Sequence, residues 1–330
     1  MKGPVLPPLF NLPFQDTVFH ISEFTPMQSP LSGLVAAPFT PFRPDGSLML
    51  EAIPKLAALL HRNEIAAAFV CGTTGEGCSL TTAERMEVAA AWRQSLPNGL
   101  KLAVHVGHLC LADSQALARH AEKIGADAIA TIAPSFFRPA DADSLIAWCQ
   151  QIAAAAPTLP FYYYHMPVMT GVTIPVREIL GRLNGQIPSF AGVKFTHEDL
   201  SDYAESVGFS DGRYGLLFGR DEILLSGLRI GGVGAVGSTY NYAAPLYQRI
   251  VRSFDADDFT AAARDQERAQ EFIAIMNRHG GLPAGKAIMK FIGIDCGPVR
   301  LPLKALTAQA ERSLRAELEA CGFFEYASKI

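Results

Sequence analysis

The sequence predicts an α/β protein, a (β/α)8 TIM barrel with a C-terminal extension of three helices. Eight short apolar runs typical of buried parallel strands alternate with stretches whose apolar residues recur at helical spacing. Eight strand–helix pairs within about 220 residues is the count of such a barrel. A doubly wound open sheet is the main alternative, but it usually holds about five to seven strands, so the count favours the barrel.

The elements follow one another without internal repeats. The strand-like runs are Leu34–Ala37, Ala66–Cys71, Lys101–Val106, Ala126–Ile132, Phe161–Tyr164, Phe190–Lys194, Tyr214–Phe218 and Val233–Val236. The helical patterns of the barrel are Glu51–His61, Ala83–Gln94, Ser114–Lys123, Ser144–Ala155, Val176–Leu183, Leu200–Val207, Asp221–Leu228 and Pro245–Phe254. Thr81 and Glu84 form a capping box before the second helix. Three later patterns, Phe259–His279, Lys286–Phe291 and Leu306–Cys321, predict helices packed on one side of the barrel.

Composition excludes several functional classes. Of the 330 residues, 49% are hydrophobic and 18% charged, enough apolar material for a large core, which excludes a disordered protein. The net charge of −4 comes with no basic stripe, which disfavours nucleic acid as a partner. No apolar run reaches the ~18–20 residues that a membrane-spanning helix needs. The six cysteines form no Cys-x-x-Cys pair, a usage typical of reduced thiols in a cytoplasmic protein.

The first thirty residues are rich in proline and carry no continuous apolar signal-peptide core. We expect residues 1–32 to form an extension outside the fold, with Met27 as a possible true start. Residues 33–255 would then be the catalytic barrel, and residues 256–330 the helical extension.

Chemistry in such a barrel lies at the carboxyl ends of the strands. The residues at or just after those ends are Thr40, Gly72–Gly77, Tyr164, Lys194, Gly219–Glu222 and Ser238–Asn241. Gly72–Gly77 carries three glycines and two threonines, which can cradle an anion or simply form a tight turn. No Gly-Lys-Ser/Thr follows, so a nucleotide P-loop is excluded.

Lys194 closes the sixth strand and could point into the barrel mouth. A site of low dielectric disfavours the charged amine and makes it a nucleophile for Schiff-base formation with a ketone. The alternative is a lysine that extends to the surface. Tyr164 ends the fifth strand on the same face as Tyr162 and could move a proton at the mouth, or could only pack.

The remaining polar candidates have structural alternatives. Asp221 and Glu222 could stabilise a helix dipole, and Ser238–Asn241 could be an N-cap cluster. Gly232–Gly237 matches G-x-G-x-x-G, but its apolar centre is itself the predicted strand, which argues against a dinucleotide site. His105 and His108, at i and i+3, face opposite sides of a strand and are poorly placed to share a metal ion.

Four strings of residues resemble the pyruvate-dependent class I aldolases related to dihydrodipicolinate synthase. They are Gly72-Thr73-Thr74-Gly75-Glu76, Tyr164 in Leu159–Pro167, Gly192-Val193-Lys194 and Gly234–Asn241. Together with Lys286–Met289 they are similar, within that family, to the N-acetylneuraminate (sialic acid) lyases of the animal-type branch. The similarity runs from about residue 33 to residue 323.

The resemblance implies a reversible cleavage of N-acetylneuraminate to N-acetylmannosamine and pyruvate. Lys194 would form the imine with the C2 carbonyl of the open-chain sugar acid, and Tyr164 would shuttle the proton of the C4 hydroxyl. Thr73 and Thr74 would hold the pyruvyl carboxylate. The sugar pocket would be lined by Thr196, Gly219, Asp221, Glu222 and Ser238. The resemblance implies no metal, no organic cofactor, only small-molecule partners and a homotetramer.

Two departures separate the chain from the dihydrodipicolinate synthases. Met169 stands where those enzymes carry an arginine that holds a substrate carboxylate, and Phe136 stands where a second tyrosine reaches in from a neighbouring subunit. Two alternatives remain at this point: an aldolase or dehydratase for another 2-keto-3-deoxy sugar acid, and a non-catalytic sugar-binding relative.

Overall fold

Eight parallel strands close into a barrel in the computed structural model, which describes residues 29–183 and 185–330. The strands are β1 Gly33–Ala36, β2 Ala67–Val70, β3 Lys101–His105, β4 Ala128–Ile132, β5 Phe161–His165, β6 Phe190–Phe195, β7 Gly215–Phe218 and β8 Gly234–Gly237. Each pairs with the next, and β1 pairs with β8 to complete the circle. The predicted barrel is therefore confirmed, with strand ends within two residues of those expected.

Helices cover the outside of the barrel between the strands. They are α1 Ile53–Arg62, α2 Thr82–Ser95, α3 Leu111–Lys123, α4 Ala142–Ala153, the single turn α5 Pro167–Thr170, α6 Val176–Leu183, α7 Leu200–Ser210, α8 Leu224–Ile230 and α9 Tyr240–Asp255. The capping box of α2 forms as predicted, since the Thr81 side chain accepts from the Glu84 amide and the Glu84 carboxylate accepts from the Thr81 amide.

The C-terminal extension consists of α10 Phe259–Arg278, α11 Leu282–Phe291 and α12 Ala308–Ala320. Two helices begin four or five residues before the predicted start. α9 begins at Tyr240 rather than at Pro245, because the proline is tolerated after a break at Ala243, whose backbone is not helical. α11 begins at Leu282 rather than at Lys286, with Pro283 in its first turn.

Small and large side chains share the barrel interior. Alanines at positions 67, 103, 128 and 130 leave room for three aromatic rings, those of Phe69, Tyr162 and Tyr164. Tyr163, between the two tyrosines, faces the helices instead, as the strand alternation predicted. The interior is thus filled by these side chains, and Tyr164, at the carboxyl end of β5, also lines the cavity at that end of the barrel.

The base of the barrel is closed by residues just before β1. Leu31 is buried, its amide donates to Tyr162 Oη at 3.1 Å, and Ser29 Oγ lies 3.0 Å from the same oxygen. Residues 29–32, which we expected outside the fold, therefore contact it. The rest of the expected extension, residues 1–28, lies outside the described part of the chain.

No helix within residues 29–183 and 185–330 is both long and apolar enough to cross a membrane. All six cysteines are described and none forms a disulfide. Cys71, Cys149 and Cys296 are buried, and burial raises the pKa of each thiol.

Candidate active site

The nine residues predicted for the site line one cavity of about 400 Å³ at the carboxyl ends of the strands. They are Thr73, Thr74, Tyr164, Lys194, Thr196, Gly219, Asp221, Glu222 and Ser238. Eight loops deliver side chains to this end of a barrel, which is why residues spread over 165 positions of the sequence can meet.

Lys194 is buried against aromatic rings rather than extended to the surface. Its side chain comes from the interior face of β6, and the residue is only 5% exposed. Lys194 Nζ lies 3.9 Å from the centre of the Tyr164 ring and 4.4 Å from that of Phe69. The two aromatic rings thus confine the amine, and Lys194 lines the cavity.

Tyr164 lies beside Lys194 on the neighbouring strand β5. Its hydroxyl donates to Met166 Sδ at 2.9 Å and lies 3.4 Å from Thr73 Oγ1. The ring packs edge-on against Phe69 and His105. Packing and a position at the mouth, which the sequence left as alternatives, are therefore both properties of this one residue.

The loop that carries Thr73 and Thr74 is a tight turn that faces the cavity. The Glu76 amide donates to the Thr73 carbonyl at 3.1 Å, and the Gly77 amide to the Gly72 carbonyl at 3.0 Å. Glycine is required at position 77, because a Cβ there would lie 2.0 Å from the Cys71 carbonyl oxygen. Gly72–Gly77 thus forms the tight turn that the sequence offered as one alternative, and Thr73 and Thr74 on this turn line the cavity.

Asp221 lies in a 3-10 turn, Asp221–Ile223, and does not cap its own helix. Its Oδ2 accepts from the Thr239 amide at 3.0 Å and from the Thr239 hydroxyl at 2.6 Å. Oδ1 has no hydrogen-bond partner among the described residues. Burial, as the largest cause, raises the pKa of Asp221 to about 6.

Two glycines make room for these polar groups. A Cβ on Gly237 would lie 2.0 Å from Asp221 Oδ1, and a Cβ on Gly219 would lie 2.0 Å from Thr196 Oγ1. Gly237 belongs to β8, so the G-x-G-x-x-G match is a strand, as predicted, and its last glycine makes space for a carboxylate.

Glu222 is half-buried and forms an ion pair with Arg220, whose Nη2 lies 2.7 Å from Glu222 Oε1. Arg220 also pairs with Glu198. Arg220 falls within the candidate range Gly219–Glu222, but the sequence analysis assigns it no role, although it lines the cavity. The acidic character that the Asp221-Glu222 pair suggested is therefore partly neutralised by a cation at this end of the cavity.

The C-terminal extension completes the cavity, which the sequence did not predict. α10, α11 and the turn between them contribute Ile273, Met276, Asn277, Gly281, Leu282 and Gly285 to its lining. Met166 is a further missed residue. The available signal was the Lys286–Met289 string, which follows the lining residues directly.

His105 and His108 do not come together. His105 is buried beside Phe69 and Tyr164, and Arg85 Nη2 lies 3.3 Å from its Nδ1. Burial, together with the charges of Arg85 and Lys194, lowers the pKa of His105 well below its ordinary value, so the ring is neutral. His108 lies on the surface beside Asp113.

Phe136 and Met169, the two departures noted in the sequence, lie outside this cavity. Their exposed fractions are 76% and 60%, and neither lines the cavity wall. In this single chain, therefore, neither side chain occupies the space around Lys194.

Fold and site together define a class: barrel proteins with a buried lysine amine, a tyrosine and a hydroxyl-rich loop at one mouth. The chain belongs to the dihydrodipicolinate synthetase family, whose family model matches residues 30–321.

Several known proteins are similar over nearly the whole chain. N-acetylneuraminate lyase of Mus musculus is 44% identical over 89% of this chain and 93% of its own length. The N-acetylneuraminate lyase structure from Proteus mirabilis has a TM-score of 0.86 and 39% identity, covering 89% of this chain and 99% of that chain. The sialic acid aldolase structure from Aliivibrio salmonicida has a TM-score of 0.86 and 38% identity, covering 89% and 97%.

Proposed function

We propose that this protein is a Schiff-base aldolase that cleaves N-acetylneuraminate to N-acetylmannosamine and pyruvate, reversibly. The observation that carries the proposal is the position of Lys194 Nζ, 3.9 Å from the centre of the Tyr164 ring and inside a cavity lined by Thr73 and Thr74. The similarity to N-acetylneuraminate lyases over about nine-tenths of the chain supports the choice of substrate.

The reaction begins with attack of the Lys194 amine on the C2 carbonyl of the open-chain sugar acid. Loss of water gives a protonated imine, which can accept electrons. When the C3–C4 bond breaks, its electron pair moves into the C2–C3 bond and the imine nitrogen becomes an enamine nitrogen. Protonation at C3 and hydrolysis of the resulting imine then release pyruvate and regenerate the amine.

Tyr164 is the proposed proton carrier. The C4 hydroxyl must lose its proton as C4 becomes the aldehyde carbon of N-acetylmannosamine. Tyr164 Oη accepts that proton after passing its own to the substrate carboxylate, either directly or through the Thr73 hydroxyl 3.4 Å away, which then passes its own proton on to the carboxylate. The same oxygen can then return a proton to C3 of the enamine, so the cycle closes without a net gain or loss of protons.

The two ends of the cavity suit the two ends of the substrate. Thr73 and Thr74 offer hydroxyls, and the loop amides a partial positive charge, to the carboxylate next to C2. At the other end, Thr196, Gly219, Asp221, Glu222 and Ser238 present acceptors and hydroxyls to the polyol tail. Charged carboxylate acceptors form stronger hydrogen bonds with sugar hydroxyls than neutral groups do.

We further propose a cytoplasmic homotetramer. Leu109, Phe136 and Phe137 are exposed and line one apolar cavity on the surface. Apolar surface of this kind commonly marks a protein interface. Sedimentation equilibrium should give four times the chain mass of 35.6 kDa, and a monomer would contradict this part of the proposal.

A pyruvate-release assay over a panel of keto sugar acids tests the proposed reaction. N-acetylneuraminate should give the highest kcat/KM, ahead of shorter 2-keto-3-deoxy sugar acids that cannot reach Asp221 and Glu222. A higher value for a shorter acid would assign the chain to a sister aldolase, and no turnover of any member would assign it to a non-catalytic relative.

A further inference from the structure

A buried ion pair lies directly behind the loop that carries Thr73 and Thr74. Glu76 Oε1 and Lys286 Nζ are 2.8 Å apart, and their side chains are 1% and 3% exposed. Glu76 belongs to the loop after β2, whereas Lys286 belongs to α11 in the C-terminal extension. The pair therefore joins two parts of the chain that are 210 positions apart.

Both partners are held from several sides. Glu76 has a backbone φ of 54°, in the left-handed region that few residues other than glycine adopt, and its Oε2 accepts from the Arg300 amide at 2.8 Å. Lys286 Nζ donates to the Pro298 carbonyl at 2.7 Å and lies 4.3 Å from the centre of the Phe42 ring. The geometry is thus fixed by the extension as much as by the barrel.

The backbone of Glu76 belongs to the same loop as Thr73 and Thr74. Its amide donates to the carbonyl of Thr73, the residue whose hydroxyl lies near Tyr164. The neighbouring Gly75 carbonyl accepts from Thr40 Oγ1 at 2.6 Å, which holds the opposite side of the turn. Glu76 is therefore bonded into the same turn that carries the hydroxyls of Thr73 and Thr74.

We propose that Lys286 is a positioning residue for the substrate carboxylate, acting through Glu76. This inference rests on the proposed function, because it assumes that Thr73 and Thr74 bind that carboxylate. Without the ammonium group, the Glu76 carboxylate is a buried charge with no cationic partner, which is strongly unfavourable unless the side chain moves or takes up a proton. Such a charge behind the loop would also repel the anionic end of the substrate.

The ketone chosen for imine trapping separates positioning from a merely structural role. Pyruvate has a carboxylate for Thr73 and Thr74 to bind. Acetone has a similar ketone carbonyl but no carboxylate. Each is incubated with the protein and sodium borohydride, and the reduced adduct on Lys194 is measured by mass spectrometry as a function of ketone concentration. Lys286→Met should raise the half-saturating pyruvate concentration by about tenfold or more, the scale of a lost partner of a charged group. Trapping of acetone should stay within about twofold of wild type.

The chain offers a matched control on the same helix. Lys290 lies four residues after Lys286 and pairs with Glu311 at 3.0 Å, but its side chain is 48% exposed. Lys290→Met should trap both ketones as wild type does. If Lys290→Met raised the half-saturating pyruvate concentration as much as Lys286→Met does, the loss would come from any change to this helix, and the proposal would be overturned.

Neutralising Glu76 as well tests whether Lys286 acts through it. In the double variant Glu76→Gln, Lys286→Met no carboxylate is left without a partner, so much of the lost pyruvate affinity should return. If Lys286→Met alone does not fold, Lys286→Gln carries the test, because glutamine removes the positive charge but can still donate a hydrogen bond to Glu76, and it should show the same loss for pyruvate only. Equal losses for acetone and pyruvate, or no recovery in the double variant, would overturn the proposal. Absence of a pyruvate adduct in the wild-type protein would instead reject the proposed function.

Discussion

Asp221→Asn tests whether the free-energy cost of burying this carboxylate in its ionised form is offset by its hydrogen bonds. The side chain is almost completely buried, with two hydrogen bonds from Thr239 to Oδ2 and no described partner for Oδ1. Asparagine has nearly the same shape and can still accept both bonds from Thr239 through its single oxygen. The substitution therefore removes the ionisation of the side chain and little else.

The expected magnitude follows from the pKa of Asp221. Burial raises it from 3.8 to about 6, so the folded chain binds this proton more tightly than the unfolded chain does. The stabilising contribution of the protonated form is complete below pH 4 and is lost as the pH rises through 6. A tenfold change in proton affinity corresponds to about 1.4 kcal/mol, so the ionised group destabilises the fold by about 3 kcal/mol at pH 8 and by about half of that at pH 5.

Urea denaturation of both proteins at pH 5 and pH 8 measures this effect. The free energy of unfolding of Asp221→Asn relative to wild type should rise by about 1.4 kcal/mol between the two pH values. Asp255→Asn, at the exposed end of α9, is the control and should show no such trend. A difference between Asp221→Asn and wild type that is the same at both pH values would refute the reasoning.

Three further predictions concern catalysis. Tyr164→Phe should lower kcat by about 10²–10⁴-fold yet still form the pyruvate imine, because only the proton-carrying oxygen is removed; near-normal turnover would make Tyr164 a packing residue. Glu222→Ala and Asp221→Ala should each lower kcat/KM for N-acetylneuraminate by about tenfold or more without changing imine formation with pyruvate, since pyruvate does not reach that end of the cavity; selectivity retained by both variants would remove these acids from the sugar site. The wild-type protein should not condense pyruvate with aspartate semialdehyde, because Met169 is apolar and lies outside the cavity, so this position offers no partner to a second carboxylate; a rate comparable to that of sialic acid cleavage would contradict the assignment.

The positions of the site residues could be predicted because the fold brings strand ends together. Once eight alternating strands are recognised, the carboxyl ends of all of them must meet at one mouth, and Lys194 and Tyr164 are the residues at two of those ends. No knowledge of long-range contacts is needed for that step. The burial of Lys194 could not be decided in this way, because the end of a strand is also compatible with a lysine that extends to the surface; the structure shows the residue 5% exposed.

Contacts between the barrel and its extension could not be predicted in this way. Periodicity shows that α10 and α11 are helices but not which surface they cover, so their part in the cavity was missed. The partner of Asp221 was missed for a related reason, since its carboxylate binds Thr239 of another element rather than its own helix. The structural alternative offered by the sequence for Asp221 was a helix-dipole role, whereas its burial indicates a larger effect on stability.

The early start of α9 has a local physical cause. Proline normally marks the beginning of a helix or its end, so the sequence predicts that this helix begins at Pro245. The break at Ala243 removes the conflict between the proline ring and the preceding turn, and it allows helix to form on both sides. Nothing in the alanine itself signals this break in the sequence.

Borohydride reduction in the presence of pyruvate is the most direct test of the account, because every step begins with an imine on Lys194. The peptide that contains Lys194 should gain the mass of a reduced pyruvyl adduct, and Lys194→Arg should abolish both the label and the release of pyruvate from N-acetylneuraminate. Lys286, the other buried lysine among the described residues, should remain unlabelled. Labelling on any other lysine, or no labelling with full activity retained, would contradict the central claim.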